Sequence, residues 1–321
     1  MYREFYKLKR NPFEVSPDPY FFYPTPRHNE ALALLNYGIL RRKGFVVLTG
    51  EVGTGKTLLV RCLLDSLALH RVAFAYIYNP ILSVQSFLEH VLTDLGLPAV
   101  ARSKTEALSR LNNYLMARAR EDLTTALVVD EAQLLSWELL EEIRLLTNLE
   151  TIHGKLLQIV LTGQPELDRK LESHQLRQLK QRVGLRYNLL PLDLKEVEGY
   201  IYRRLELAGA NGREKTIFSK EAIIEIYLMS KGIPRLVNTL CENSLVLGFG
   251  LQLHEITFAV VREVAADFRL DEFTAPSDKT DGLEGQRADW NFLHQTKTED
   301  FSRPAAKPMQ NPEFQPRVKP E

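Results

Sequence analysis

The stretch that most limits how this chain can fold is VVLTGEVGTGKTLLVRCLL, Val46 to Leu64. An apolar run stops at Gly50, passes through Glu51, Val52, Gly53, Thr54 and Gly55, and resumes as a leucine-rich run after Lys56 and Thr57. The pattern G-x-x-x-x-G-K-[ST] is met in full, between a predicted strand and a predicted helix. Glycines let backbone N–H groups turn inward and approach phosphate oxygens with no side chain in the way. Those amides stand at a helix N-terminus, where the peptide dipoles already favour an anion. Gly50 to Thr57 are therefore expected to cradle the phosphates of ATP. Lys56 would bridge the β- and γ-phosphates, and the Thr57 hydroxyl would enter the shell of Mg²⁺, an oxygen-seeking ion.

A second run, ALVVDEAQ, carries what hydrolysis requires in addition to binding. An apolar strand ends at Asp130, whose carboxylate would hold the Mg²⁺ shell, and Glu131 follows, placed to polarise the attacking water. One predicted strand, Val72–Tyr78, lies between the phosphate loop and this run. An added strand there, with a glutamate beside the metal-holding aspartate, marks ATPases rather than kinases or GTPases. A third run, LQIVLTGQPEL, ends at the same sheet edge, so Thr162 or Gln164 could reach the γ-phosphate or the water. Asn79, at the end of the second strand, could hold Glu131 in an inactive orientation. Arg235 stands behind Pro234 at the first turn of a predicted helix, a position from which a guanidinium could fold over the phosphates. Arg182, with Arg177 and Arg186 nearby, is placed to stabilise transition-state charge on a neighbouring subunit.

Strand runs at Phe45–Thr49, Val72–Tyr78, Ala126–Asp130, Leu157–Thr162 and Leu185–Leu190 alternate with helical stretches such as Lys56–Leu69, Thr105–Arg120 and Trp137–Leu149. That alternation predicts an α/β fold, a parallel sheet with helices on both faces. After Pro191 the strand signal stops, and Asp193–Ala208, Lys220–Ser230, Pro234–Leu247 and Thr257–Phe268 read as four helices. From Asp271 to Glu321 the only aliphatic Leu, Ile or Val residues are Leu283, Leu293 and Val318, and six of the 16 prolines fall there, so the segment is expected to be a disordered tail. Lysine plus arginine equals aspartate plus glutamate, 41 each, which disfavours a protein held on nucleic acid by phosphate attraction. Cys62 and Cys241 sit in apolar helical contexts and read as buried thiols of a reducing compartment. The start has no apolar core of a signal peptide, and no run approaches the roughly 20 apolar residues of a membrane span, so the expected location is cytoplasmic.

Together, GEVGTGKT, LVVDEAQLLSWELLEEIRLLTNLET, LLQIVLTGQPELDRKL, LRQLKQRVGLRYNLLPL and KGIPRLVNTLCENSLV closely resemble the AAA+ ATPases of the ExeA/general secretion pathway protein A family. The opening NPFEVSPDPYFFYPTPRHNEALALLNYGI resembles that family's N-terminal segment, and the likeness runs from about Tyr2 to Phe268. The resemblance implies a P-loop NTPase AAA+ core with a five-stranded sheet of order 5-1-4-3-2 and a C-terminal α-helical lid. It divides the chain into an N-terminal linker segment packing on the core (1–40), the core (41–191), the lid (192–270) and the tail (271–321). Lys56 and Thr57 match Walker A, Asp130 and Glu131 match Walker B, Arg235 matches sensor 2, and Arg182 matches the arginine finger. The N-terminal segment would lie beside the adenine, with Phe13, Phe22 and His28 as candidates there. The family implies a homo-oligomer that assembles or remodels an envelope secretion, pilus or exopolysaccharide export system, peripheral at the inner membrane through a partner. Its secretion members continue into a membrane helix and a peptidoglycan-binding domain, where this sequence ends in a polar tail. The alternative is a DNA-bound AAA+ transposition regulator of the TnsC/MuB type.

Overall fold

The computed structural model describes residues 1–270 apart from 15–17, 99 and 153; the predicted tail lies outside the described residues. Strands β1 (Phe45–Gly50), β2 (Ala73–Ile77), β3 (Thr125–Val129), β4 (Leu157–Gly163) and β5 (Leu185–Leu189) form one sheet in the order β2-β3-β4-β1-β5. Every pair is parallel, so the expected order, 5-1-4-3-2, is the one found. β1, β3 and β4 are buried along their whole length, while the edge strands β2 and β5 carry partly exposed residues. That difference explains why the central runs are unbroken apolar stretches, since parallel strands covered on both faces have no solvent side.

Successive side chains of each strand go to opposite faces. Val47, Leu127, Val129, Ile159 and Leu161 meet helices α3 (Val84–Asp94), α4 (Lys104–Arg120), α5 (Trp137–Leu146) and α6 (Pro165–Leu171). Val46, Leu48, Ala126, Val128 and Val160 meet α1 (Pro26–Leu40) and α2 (Lys56–Leu69) on the other face. Ser83, Ser103 and Ser136 cap α3, α4 and α5, each accepting a bond from the N–H three residues on. α5 ends three residues before the predicted Leu149. The Thr147 hydroxyl turns back to the Arg144 carbonyl at 2.6 Å, and a two-stranded ribbon, Glu150–Thr151 with Gly154–Lys155, then leads the chain into β4.

Beyond β5 the chain is helical: α7 (Leu194–Leu207), α8 (Lys220–Ser230), α9 (Pro234–Gly250) and α10 (Phe258–Asp267). Asp193 and Glu196 form a reciprocal capping box at the start of α7. These helices share a separate apolar cluster, which also takes in Tyr6, Leu8, Phe13 and Phe21. The N-terminal segment is thus divided: its first part is buried in the helical cluster, and α1 is buried against the sheet. Among the described residues no helix is long and apolar enough to cross a membrane.

Candidate active site

The carboxyl ends of β1, β4 and β3 lie side by side, the edge at which open parallel sheets hold ligands. At the end of β1 the loop turns back with Gly53 at φ +82° and Gly55 at φ +101°, both in the left-handed region. Its shape is held by Thr54, whose hydroxyl donates to the Glu51 carbonyl at 2.8 Å. Lys56 opens α2 and is only 6% exposed; its ammonium donates to the carbonyls of Gly50 at 2.8 Å and Glu51 at 2.9 Å. Burial lowers the Lys56 pKa, against the opposing pull of the Glu131 and Asp130 carboxylates.

Asp130, one residue past β3, is 3% exposed. Its Oδ2 accepts from the Thr57 hydroxyl at 2.9 Å, and its Oδ1 accepts from the Glu131 N–H at 2.9 Å and from the Thr162 hydroxyl. Tyr76 stands on the neighbouring strand, where burial first and the Asp130 charge second push its phenol up to about 12. Glu131 has φ +50°, rare for a residue with a side chain and a feature that collects at functional sites. Its Oε2 accepts from the Gln133 amide at 2.6 Å and from the Gln164 amide at 3.3 Å.

Lys56, Thr57, Glu131, Gln164 and Arg235 line one cleft of about 380 Å³. Arg235 reaches it from the first turn of α9, where its N–H donates to the Gly53 carbonyl at 3.3 Å. A Cβ on Gly53 would lie 2.7 Å from the Arg235 Cβ, so the lid helix rests directly on the loop because that position has no side chain. The far wall holds a buried network that the sequence reading missed. Tyr200 donates to Asn238 Oδ1 and accepts from Arg204 Nη1, both at 2.8 Å, and Arg204 Nε donates to the Pro12 carbonyl at 2.5 Å. The signal was present in α7: Tyr200 and Arg204 are four apart, on the face buried with Val197, Ile201 and Leu205.

Several expected placements change. Thr162 does not line the cleft; its hydroxyl is spent on Asp130, while Gln164, two residues on, faces the opening. Asn79 is exposed and, among the described residues, accepts only a 3.4 Å bond from the Ile81 N–H, because the left-handed turn at Glu131 carries that carboxylate toward β4 rather than β2. Phe13 does not line the cleft: it is fully buried in the helical cluster, edge-on to Phe218 at 6.1 Å. Phe22 is half-buried and edge-on to His28, and His28 Nε2 lies 3.4 Å from the Thr54 carbonyl of the loop. Burial lowers the His28 pKa, with the Thr54 carbonyl acting in the opposite sense. None of the three arginines before or in β5 lines the cleft. Arg182 Nη1 donates to the Thr147 hydroxyl at 2.8 Å, Arg186 pairs with Asp168 at 3.2 Å, and Arg177 is exposed.

Residues 39–171 match the family described as AAA domain. The chain carries an AAA domain. The chain is 44% identical over 257 residues to general secretion pathway protein A of Aeromonas hydrophila, which bears out the resemblance read from the motifs. The match covers 80% of the chain and 46% of that relative, so the chain spans less than half of the relative's length. Among solved structures, Cdc6p from Pyrobaculum aerophilum shares 21% identity at a TM-score of 0.60, over 78% of this chain and 71% of that one. The Drosophila ORC bound to DNA shares 19% identity at a TM-score of 0.61, over 83% and 66% of the two chains. At such identities these likenesses concern the fold alone.

Proposed function

We propose that this AAA+ protein hydrolyses ATP and works as a homo-oligomer that assembles or remodels an envelope secretion, pilus or exopolysaccharide export system from the cytoplasmic side. The observation that carries the hydrolytic part is the convergence of Lys56, Thr57, Asp130 and Glu131 at one sheet edge, with Thr57 and Asp130 in contact at 2.9 Å. The residues present fit ATP and Mg²⁺. The loop's inward turn depends on glycines at positive φ, and a buried ammonium is held by loop carbonyls that a phosphate can replace. Two oxygen ligands of the kind Mg²⁺ takes already touch. When bound, the metal supplies charge neutralisation on the phosphates.

In this reading the backbone of Gly50, Glu51, Val52, Gly53, Thr54 and Gly55 cradles the phosphates, and Lys56 adds charge to them. Thr57 and Asp130 are the metal's protein ligands. Glu131 polarises water, Thr162 orients Asp130, and Arg235 reports from the lid whether the phosphates are present. Arg182 is the residue offered to a neighbouring subunit. Residues 41–191 act as the core, 192–270 as the lid, and 1–40 as an N-terminal linker segment packing on the core. The link to envelope export is supported by general secretion pathway protein A, to which the chain is 44% identical.

The test is steady-state ATP hydrolysis over a range of protein concentrations. Specific activity should rise with concentration, and Glu131→Ala should keep MgATP bound while turnover falls about 100-fold or more. Flat specific activity counts against the oligomer, and an unchanged rate in Glu131→Ala against the assignment of the base. A second reading, a DNA-bound transposition regulator, draws on a cleft of about 400 Å³ at the opposite sheet edge, lined by Arg42, Arg120 and Lys155. Two of those cations are already paired, Arg42 with Asp122 and Lys155 with Glu150, which leaves this reading second. Duplex binding that weakens steeply with salt would raise it to first.

A further inference from the structure

We infer that Gln133 is a positioning residue for Glu131: it clamps one carboxylate oxygen so that the other is presented to the cleft. The inference rests on the hydrolytic reading above and assigns a group that the motif comparison passes over.

The geometry fixes the direction of the Gln133 side chain. Its Oε1 accepts from the backbone N–H of Gln164 at 3.1 Å, so its NH₂ must face the other way, and that NH₂ donates to Glu131 Oε2 at 2.6 Å. Turning the amide over would set an oxygen against the carboxylate and two N–H groups against each other. Gly163 makes the room: a Cβ there would lie 2.8 Å from Gln133 Oε1. The turn itself is tied down by Lys170, whose ammonium donates to the Gln133 carbonyl at 3.1 Å and the Leu135 carbonyl at 2.5 Å. Both side-chain amides bonded to Glu131, those of Gln133 and Gln164, fall on Oε2, and no protein donor holds Oε1 among the described residues. A carboxylate fixed at one oxygen and open at the other is oriented for a water molecule. Loss of the clamp frees the side chain to rotate, which lowers the fraction of productive encounters and leaves nucleotide contacts alone.

The test is ATP hydrolysis by the full chain carrying Gln133→Met, which keeps the side chain's length and removes its donor, beside Gln133→Asn, Glu131→Ala and the parent. Gln133→Met should lower kcat about tenfold or more with KM for MgATP within about twofold, the split left by an interaction used in the reaction rather than in binding. Gln133→Asn, which keeps a shortened amide, should recover part of the rate. Affinity for a fluorescent ATP analogue and the thermal midpoint should match the parent in both variants. A kcat within twofold of the parent in Gln133→Met overturns the inference, as does loss of analogue binding or of fold, which would make Gln133 a structural residue. A parent that is inert, or whose rate survives Glu131→Ala, overturns the hydrolytic reading instead.

Discussion

In the strand-end site, the groups that meet come from one eight-residue loop and from the ends of adjacent strands, with Arg235 added from the first turn of α9. In the helical cluster above it, Phe13 meets Phe218, and Arg204 meets the Pro12 carbonyl, across most of the described chain. The first region is gathered from short motifs and is rich in glycine, charge and left-handed backbone. The second is apolar, regular and assembled from distant pieces. Chemistry can be concentrated in a short motif because a sheet edge gathers strand ends without further instruction. Packing cannot, since an apolar cluster is complete only when every contributor has arrived.

The comparison predicts that the two regions fail in different ways. The largest effect on activity should come from Lys56→Ala, which removes a buried cation from the loop: ATP turnover should fall at least about 100-fold in a hydrolysis assay, with the thermal midpoint close to that of the parent. A midpoint that drops sharply instead would make the loop part of the fold's support and erase the distinction. Phe13→Ala should do the reverse. Emptying a fully buried aromatic site should cost about 3–5 kcal/mol of stability in denaturant titration, though the residue does not line the cleft. Gly53→Ala probes the seam between the regions. A Cβ at φ +82° costs about 1–2 kcal/mol and pushes against Arg235, so nucleotide affinity should weaken about tenfold with a smaller loss of stability.

The smallest effect should be His28's pH dependence. Burial lowers its pKa below the ordinary 6.5, so the unfolded chain binds a proton that the folded chain refuses. The ring's contribution is then complete above about 6.5 and is lost as pH falls below it. The groups facing the ring are the Thr54 carbonyl and the Thr25 hydroxyl, with Glu196 the charge that acts on it. Thermal midpoints of the parent should fall more between pH 7 and pH 5 than those of His28→Gln. Equal slopes would show that the ring titrates as in water.

What could be read from the sequence follows the same division. Asp130, Glu131, Lys56 and Thr57 were legible because each is fixed by its offset from a strand end or a glycine. The sheet's central strands were legible because they are apolar throughout. Thr162 and Gln164 could not be told apart, since both stand at the end of the same strand and only the partners of each side chain separate them. Asn79 does not meet Glu131 in this structure because one left-handed residue, Glu131, redirects a carboxylate, and no residue type announces that turn. Phe13 was offered to the adenine because membership of a family segment does not say which cluster will bury an aromatic ring. Arg204 and Gln133 were passed over: a buried cation and an amide acquire their meaning from partners that sequence spacing does not reveal.

The burial of Phe13 against Phe218 also bears on how the chain is made. A ribosome adding about 5–20 residues per second needs roughly 10–40 s to travel from the first ring to the second. During that interval the nascent amino-terminal arm, with Tyr6, Leu8 and Phe13, lacks its eventual shelter while the sheet behind it can already form. The arm is then an exposed sticky end awaiting the last helices, which makes slow translation of residues 194–267 a hazard for aggregation and gives holdase chaperones their opening.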